Sequence, residues 1–180
     1  SYAATGTAQV AAVLNVLTSD SKTYANTGAS TFEAAKDVII KANTDSDIVT
    51  VDVTAGYGKT VAVDGILSAN VLRRKVAALV GENSEIIAHQ NAQILSSLDE
   101  NVVMVLVSAA GSQKAGISGL IPIIVTKNIV RTVIGNVDVD EALTNTEDIK
   151  NGTDENNVTR ITADGSIYAD SRIDSDTVVV

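Results

Sequence analysis

Apolar and polar positions alternate along this chain in short runs. Ile48-Val49-Thr50-Val51-Asp52-Val53 places Val49, Val51 and Val53 on one face of an extended strand. Asp164-Gly165-Ser166-Ile167-Tyr168-Ala169 has the form of a turn feeding a second inward-outward strand. Between such runs stand Asp-Gly, Ala-Gly, Asn-Thr-Gly and Gly-Glu-Asn signals, which predict short strands joined by turns. Ala8–Leu17 and Ser68–Val80 also fit amphipathic helices, because alanine favours a helix. Strands are the favoured assignment for both, since small residues recur wherever neighbouring coils crowd each other.

The pattern recurs about every 53 residues. Gly28, Gly81 and Gly135 each close a run; Lys22 maps to Lys75, Ala25 to Ala78, Val49 to Val102 and Val51 to Met104, and Ile40 falls at about Ile94. Such a period predicts a solenoid, in which stacked units bury what no single unit could. About three copies fill the chain as one all-β domain, 1–180, with parallel strands about 4.8 Å apart. Each copy is longer than one ordinary β-coil and is expected to make two or more. In the third copy the recurrence breaks between Asp140 and Thr159 and resumes with Ile167, 127 residues after Ile40. A polar loop over about 141–157 is the expected insertion, on the outside of the stack.

Composition supports strands and turns. Apolar residues make up 45 % but aromatics only 3 %, so the core must be Val, Ile, Leu and Ala. The net charge of −9 argues against a nucleic-acid binder and against electrostatic docking on anionic membranes. There is no cysteine, hence no disulfide and no thiolate metal site. The longest mainly apolar stretch, Val102–Ala110, is too short for a spanning helix, and no membrane insertion by this segment is expected.

Candidate chemistry is sparse. His89 is the lone histidine and reads as an outward polar residue rather than a metal ligand or general base. Arg73, Arg74 and Lys75 form the densest basic cluster, a possible contact patch on an exposed loop or strand edge. Asp45, Asp47 and Asp52, then Asp138, Asp140 and Glu141, then Asp170, Asp174 and Asp176 fit no calcium-loop pattern and read as solvated turn residues. Gly56-Tyr57-Gly58-Lys59-Thr60 lacks the leading glycine of a phosphate loop and reads as the turn opening the second copy. Asn151 and Asn157 head N-glycosylation sequons, which matter only in a eukaryotic secreted chain. The insertion supplies the best contact candidates: Glu141, Asn145, Glu147, Asp148, Asn151, Asp154, Glu155, Asn156 and Asn157. No catalytic residue, metal site or cofactor is indicated.

Val13-Leu14-Asn15-Val16 followed by Lys22-Thr23-Tyr24-Ala25, and Asn128-Ile129-Val130-Arg131-Thr132-Val133-Ile134-Gly135-Asn136-Val137, resemble haemagglutinin-type repeats. Those repeats build the passenger regions of large type V secreted bacterial proteins: autotransporters, filamentous adhesins and leukotoxin-like exoproteins. The resemblance implies a right-handed parallel β-helix and a place outside a Gram-negative cell or on its outer surface. Ser1-Tyr2-Ala3-Ala4 opens in mid-pattern and Asp176-Thr177-Val178-Val179-Val180 is an apolar strand, so a fragment without native caps, with the remainder of a longer chain at both ends, is expected. It implies attachment to a host cell-surface protein or glycan. A β-helical glycan-acting enzyme and a structural spacer or cytotoxin passenger are the alternatives. Pro122, within Ile121-Pro122-Ile123, departs from the pattern, because proline cannot donate to a ladder.

Overall fold

A computed structural model describes residues 2–3, 7–135, 143 and 158–180. Among the described residues ten strands follow one another: β1 (Tyr2–Ala3), β2 (Ala8–Asn26), β3 (Thr31–Ala34), β4 (Val38–Gly58), β5 (Val61–Val80), β6 (Glu85–Ala88), β7 (Ala92–Ser112), β8 (Ala115–Ile134), β9 (Arg160–Ala163) and β10 (Ile167–Val179). They pair only in parallel, in three sheets ordered β1-β4-β7-β10, β2-β5-β8 and β3-β6-β9. The fold is a right-handed parallel β-helix, as the sequence predicts. Each coil runs out along one long strand, round a four-residue strand, and back along another long strand. Two broad sheets therefore face each other about 10 Å apart. The β3-β6-β9 sheet closes one narrow edge, and tight turns at 59–60 and 113–114 close the other.

The long strands correct two expectations. One 53-residue copy makes one large coil, not two or more, because β2 pairs with β5 over 19 residues and β4 with β7 over 21. Asp64-Gly65 and Ala110-Gly111 lie inside strands rather than at turns. Flanking ladders hold Asp64 and Gly65 between Ala11-Ala12 and Ser118-Gly119, so tertiary pairing overrides the local turn tendency. Pro122 is accommodated in β8, which among the described residues pairs only with β5 and so forms an edge of its sheet.

The register shows where the period drifts. Lys22 pairs with Lys75 and Ala25 with Ala78, a shift of 53. Past the corner the shift is 54, and Val49 pairs with Val103 and Val51 with Val105, not with Val102 and Met104. A one-residue slip exchanges the two faces of a strand. Likewise Ile167 pairs with Ala92 and thereby stacks over Val38, not Ile40. From β7 to β10 the shift is 75 (Ala92 to Ile167), 21 more than the 54 from β4 to β7, and the extra residues fall between Ile134 and Arg160.

The repeated glycines build a corner. Gly28 and Gly135 take positive φ of 60° and 119°, which a side chain would strain. A Cβ on Gly81 would come within 2.9 Å of the Gly28 carbonyl oxygen, so the stacked corner has no room for one. Thr27 Oγ1 accepts from Gly81 N (3.1 Å), and Thr159 Oγ1 donates to Gly81 O (2.9 Å), which ties three coils together. At the next corner Asp37, Asn91 and Ser166 stack in register: Asn91 N donates to Asp37 Oδ1 (2.9 Å), and Ser166 N to Asn91 Oδ1 (3.0 Å).

The interior changes character along the coil. Near the short sheet it is apolar: Ala42, Val76, Ala78, Val80, Ile86, Ile94 and Leu98 form the main core. Toward the tight turns only Ile66, Met104 and Leu106 cluster, with Val13 and Ile124 packed beside them. The remaining inward positions there are largely polar.

Candidate functional site

Inward side chains meet across the two broad sheets in a polar seam. Arg74 is 4 % exposed; its Nε lies 3.7 Å from Glu100 Oε1, and its guanidinium donates to Ser46 Oγ (3.1 Å) and Ser19 O (3.1 Å). Glu100 Oε2 accepts from Asn128 Nδ2 at 2.8 Å. Farther toward the tight turns, Asn70 donates to Thr50 Oγ1 (2.9 Å) and Asn15 to both Asp52 oxygens (3.0 and 3.2 Å). Asp64 is buried against Gly56, and among the described residues neither of its carboxylate oxygens has a hydrogen-bond partner.

The basic cluster is not a single patch. Strand period two turns Arg73 and Lys75 outward and Arg74 into the seam, and all three lie in a central strand rather than on a loop or strand edge. Asp45, Asp47, Asp174 and Asp176 likewise occupy strands instead of turns, while Asp52 faces inward.

Outward on β4, β7 and β10 the polar residues stack in rows. Asn43, Ser97 and Arg172 form one row, Asp45, Asp99 and Asp174 the next, and Asp47, Asn101 and Asp176 the third. The first two rows line a shallow depression with Leu98 at its floor. Arg172 donates to Asp174 at 2.9 Å, and Ser97 to Asn43 Oδ1. Within this depression neighbouring carboxylates sit on adjacent strands, about 4.8 Å apart at the backbone.

His89 stands at the end of β6 between coils. Its Nδ1 lies 3.1 Å from Asp164 Oδ2 and its Nε2 3.4 Å from Glu33 Oε1. The hydrogen bond to Asp164 and then that to Glu33 raise its pKa above the usual 6.5. The charged imidazolium thus stabilises the stack below the unfolded-state pKa of about 6.5 and loses that contribution as pH rises through the higher folded value. Unfolding of the parent and of His89→Gln, followed across that range, should show the parent losing stability relative to the variant as pH rises. The group is exposed, so the change is small.

The insertion residues Glu141, Asn145, Glu147, Asp148, Asn151, Asp154, Glu155, Asn156 and Asn157 lie outside the described residues, as do Asp138 and Asp140. Leu143 is described: it is fully buried against the outward side chains of Ala77 and Leu79, with Val133 beside it. Among the described residues no group of three or more His, Cys, Asp or Glu could hold a metal ion.

One large apolar surface lies outside, where composition alone assigns valine, isoleucine and leucine to the core. Val49, Val51, Val53, Ala55 and Tyr57 point out of β4, with Val49 68 % exposed. On the opposite flank Val10, Ala12, Leu14 and Val16 point out of β2, Val63, Gly65, Leu67, Ala69 and Val71 out of β5, and Ile117, Gly119, Ile121, Ile123 and Val125 out of β8. Gly65 and Gly119 leave an apolar dent beside Leu14, Leu67 and Ile121. The alternation Val49-Thr50-Val51-Asp52-Val53-Thr54 carries this signal, provided the threonines and aspartate are taken as the inner set. No protein-family model, no curated protein and no solved structure matches this chain.

Proposed function

We propose that the chain is a segment of an extended surface scaffold that mediates attachment, with the half nearest the short sheet carrying the contacts. The observation behind this reading is the Asp45–Asp99–Asp174 row, with Asn43–Ser97–Arg172 beside it. Each coil adds another aspartate to this row, so a long partner meets equivalent groups in series and gains by multiplicity. A cell-surface glycan or protein outside a Gram-negative cell is the partner that fits, in keeping with the resemblance to type V passenger regions.

The test is a glycan and extracellular-matrix binding screen with the full chain, the triple variant Asp45→Asn/Asp99→Asn/Asp174→Asn, and a variant lacking 141–157. With β-rich circular dichroism retained, the triple variant should bind at least about tenfold more weakly. Unchanged binding would remove the row from the account, and unchanged binding by the deletion would remove the insertion.

The same depression favours a second reading, an enzyme acting on glycans. A ladder spacing of about 4.8 Å puts carboxylates on neighbouring strands in the range of the roughly 5–5.5 Å separation of retaining glycosidases. Release of reducing ends from a polysaccharide panel by the parent, abolished by Asp99→Asn with binding kept, would select this reading over attachment.

A further inference from the structure

Over one half of the coil the polarity of the fold is inverted. Near the short sheet the same strands are apolar inside and charged outside, as in a water-soluble protein. From Val49 to Tyr57 on β4 they are apolar outside, while Thr50, Asp52 and Thr54 face in. The opposite flank follows the same rule: Val63 and Leu67 point out of β5, and Asp64 and Asn70 point in.

The inverted zone has matched limits on its two flanks. Arg74 bonds Ser46 and Asn70 bonds Thr50 across the interior, so outward Asp47 and Arg73 stand at one height, and Val49 and Val71 at the next. No outward position between Val49 and Tyr57, or between Val63 and Val71, carries a charge. Beyond the zone, at the tight turns, Lys59 and Lys114 are exposed. Eight residue steps at about 3.3 Å give a height of about 26 Å. The hydrocarbon core of a bilayer is about 30 Å thick, and the apolar band of a transmembrane β-barrel is about 25 Å tall.

We propose that this half of the solenoid spans a lipid bilayer. Its strands cross along the membrane normal and the coil axis lies in the membrane plane. The polar rows and the short sheet stay in water on one side, and Lys59 and Lys114 reach the headgroups on the other. Acyl chains fit both flanks better than a second copy of the chain does, because a partner docked on one flank leaves the opposite one bare. The expectation of no membrane insertion rests on helix length, and indeed no described helix is long and apolar enough to cross. A strand needs only about 9–11 residues with alternate positions apolar. Backbone groups at a ladder edge must be paired in hydrocarbon, so the embedded form joins edge to edge with like coils. This inference does not depend on what the hydrated half binds.

The chain has no tryptophan, which makes single-tryptophan depth measurements clean. The full chain is reconstituted with phosphatidylcholine vesicles brominated near the acyl-chain ends, as Val53→Trp, Leu67→Trp and Asp45→Trp variants. Indoles at 53 and 67 should be quenched strongly and that at 45 hardly at all, and the unaltered chain should float with the vesicles after a carbonate wash. Val53→Lys/Leu67→Lys, at solvent-exposed positions, should keep its circular dichroism in buffer but partition at least about 1,000-fold more weakly. Failure of the unaltered chain to float, quenching on one flank only, or a lipid-free oligomer shielding both indoles would overturn the proposal.

Discussion

Arg74→Ala is expected to lower the unfolding free energy by about 3–5 kcal/mol, the usual consequence of orphaning a buried charge. Glu100 is 1 % exposed, and its Oε1 accepts no hydrogen bond among the described residues. The guanidinium 3.7 Å away offsets the charge of that oxygen. The loss therefore comes from the carboxylate left behind more than from the pair itself. Arg74→Met/Glu100→Gln should recover most of the stability, since the glutamine carbonyl can still accept from Asn128 and no charge stays buried. Urea unfolding of the parent, single and double variants measures the difference. A double variant as unstable as the single one would show that packing, not charge, is at stake.

Leu98→Ala should cost about 2–5 kcal/mol. Leu98 is 1 % exposed in the main core with Ile94, Val76 and Ala42. Ladders on both sides, to Thr44 and to Ile173, fix the backbone spacing, so the walls cannot collapse into the cavity. A cost near the upper end of that range is the expected outcome of chemical unfolding. Val53→Ala, on the exposed flank, should change stability in buffer by no more than about 0.5 kcal/mol.

Much of the fold is legible in particular residues. Gly28, Gly81 and Gly135 mark the corner because backbone strain and crowding there exclude side chains, and exclusion of that kind leaves a trace in sequence. The parallel coil follows from the recurrence of Lys22 and Ala25 at Lys75 and Ala78. The drift from 53 to 54 is not legible, since it arises at a corner where Gly81-Glu82-Asn83-Ser84 holds one residue more than its counterpart. Val49 consequently aligns with the wrong face of β7 when a fixed period is applied.

The seam is illegible for a different reason. Asn15 and Asp52, or Arg74 and Glu100, become partners only when two sheets are laid face to face, and no local spacing encodes that. Arg73-Arg74-Lys75 was readable in principle, because strand alternation alone divides it between two faces. The apolar flank is not legible from composition, which assigns valine to the interior. Asp52, Asp64 and Asn70 take the interior positions beside it, and that inversion is the claim on which the account turns.

Thiol accessibility along β4 tests the inversion most directly, because the chain contains no cysteine of its own. Single cysteines at 49 through 54, in lipid-free buffer, would be timed against a small maleimide. The account predicts fast reaction at 49, 51 and 53 and slow reaction at 50, 52 and 54. The opposite alternation, with valine positions protected and threonine and aspartate positions reactive, would contradict it.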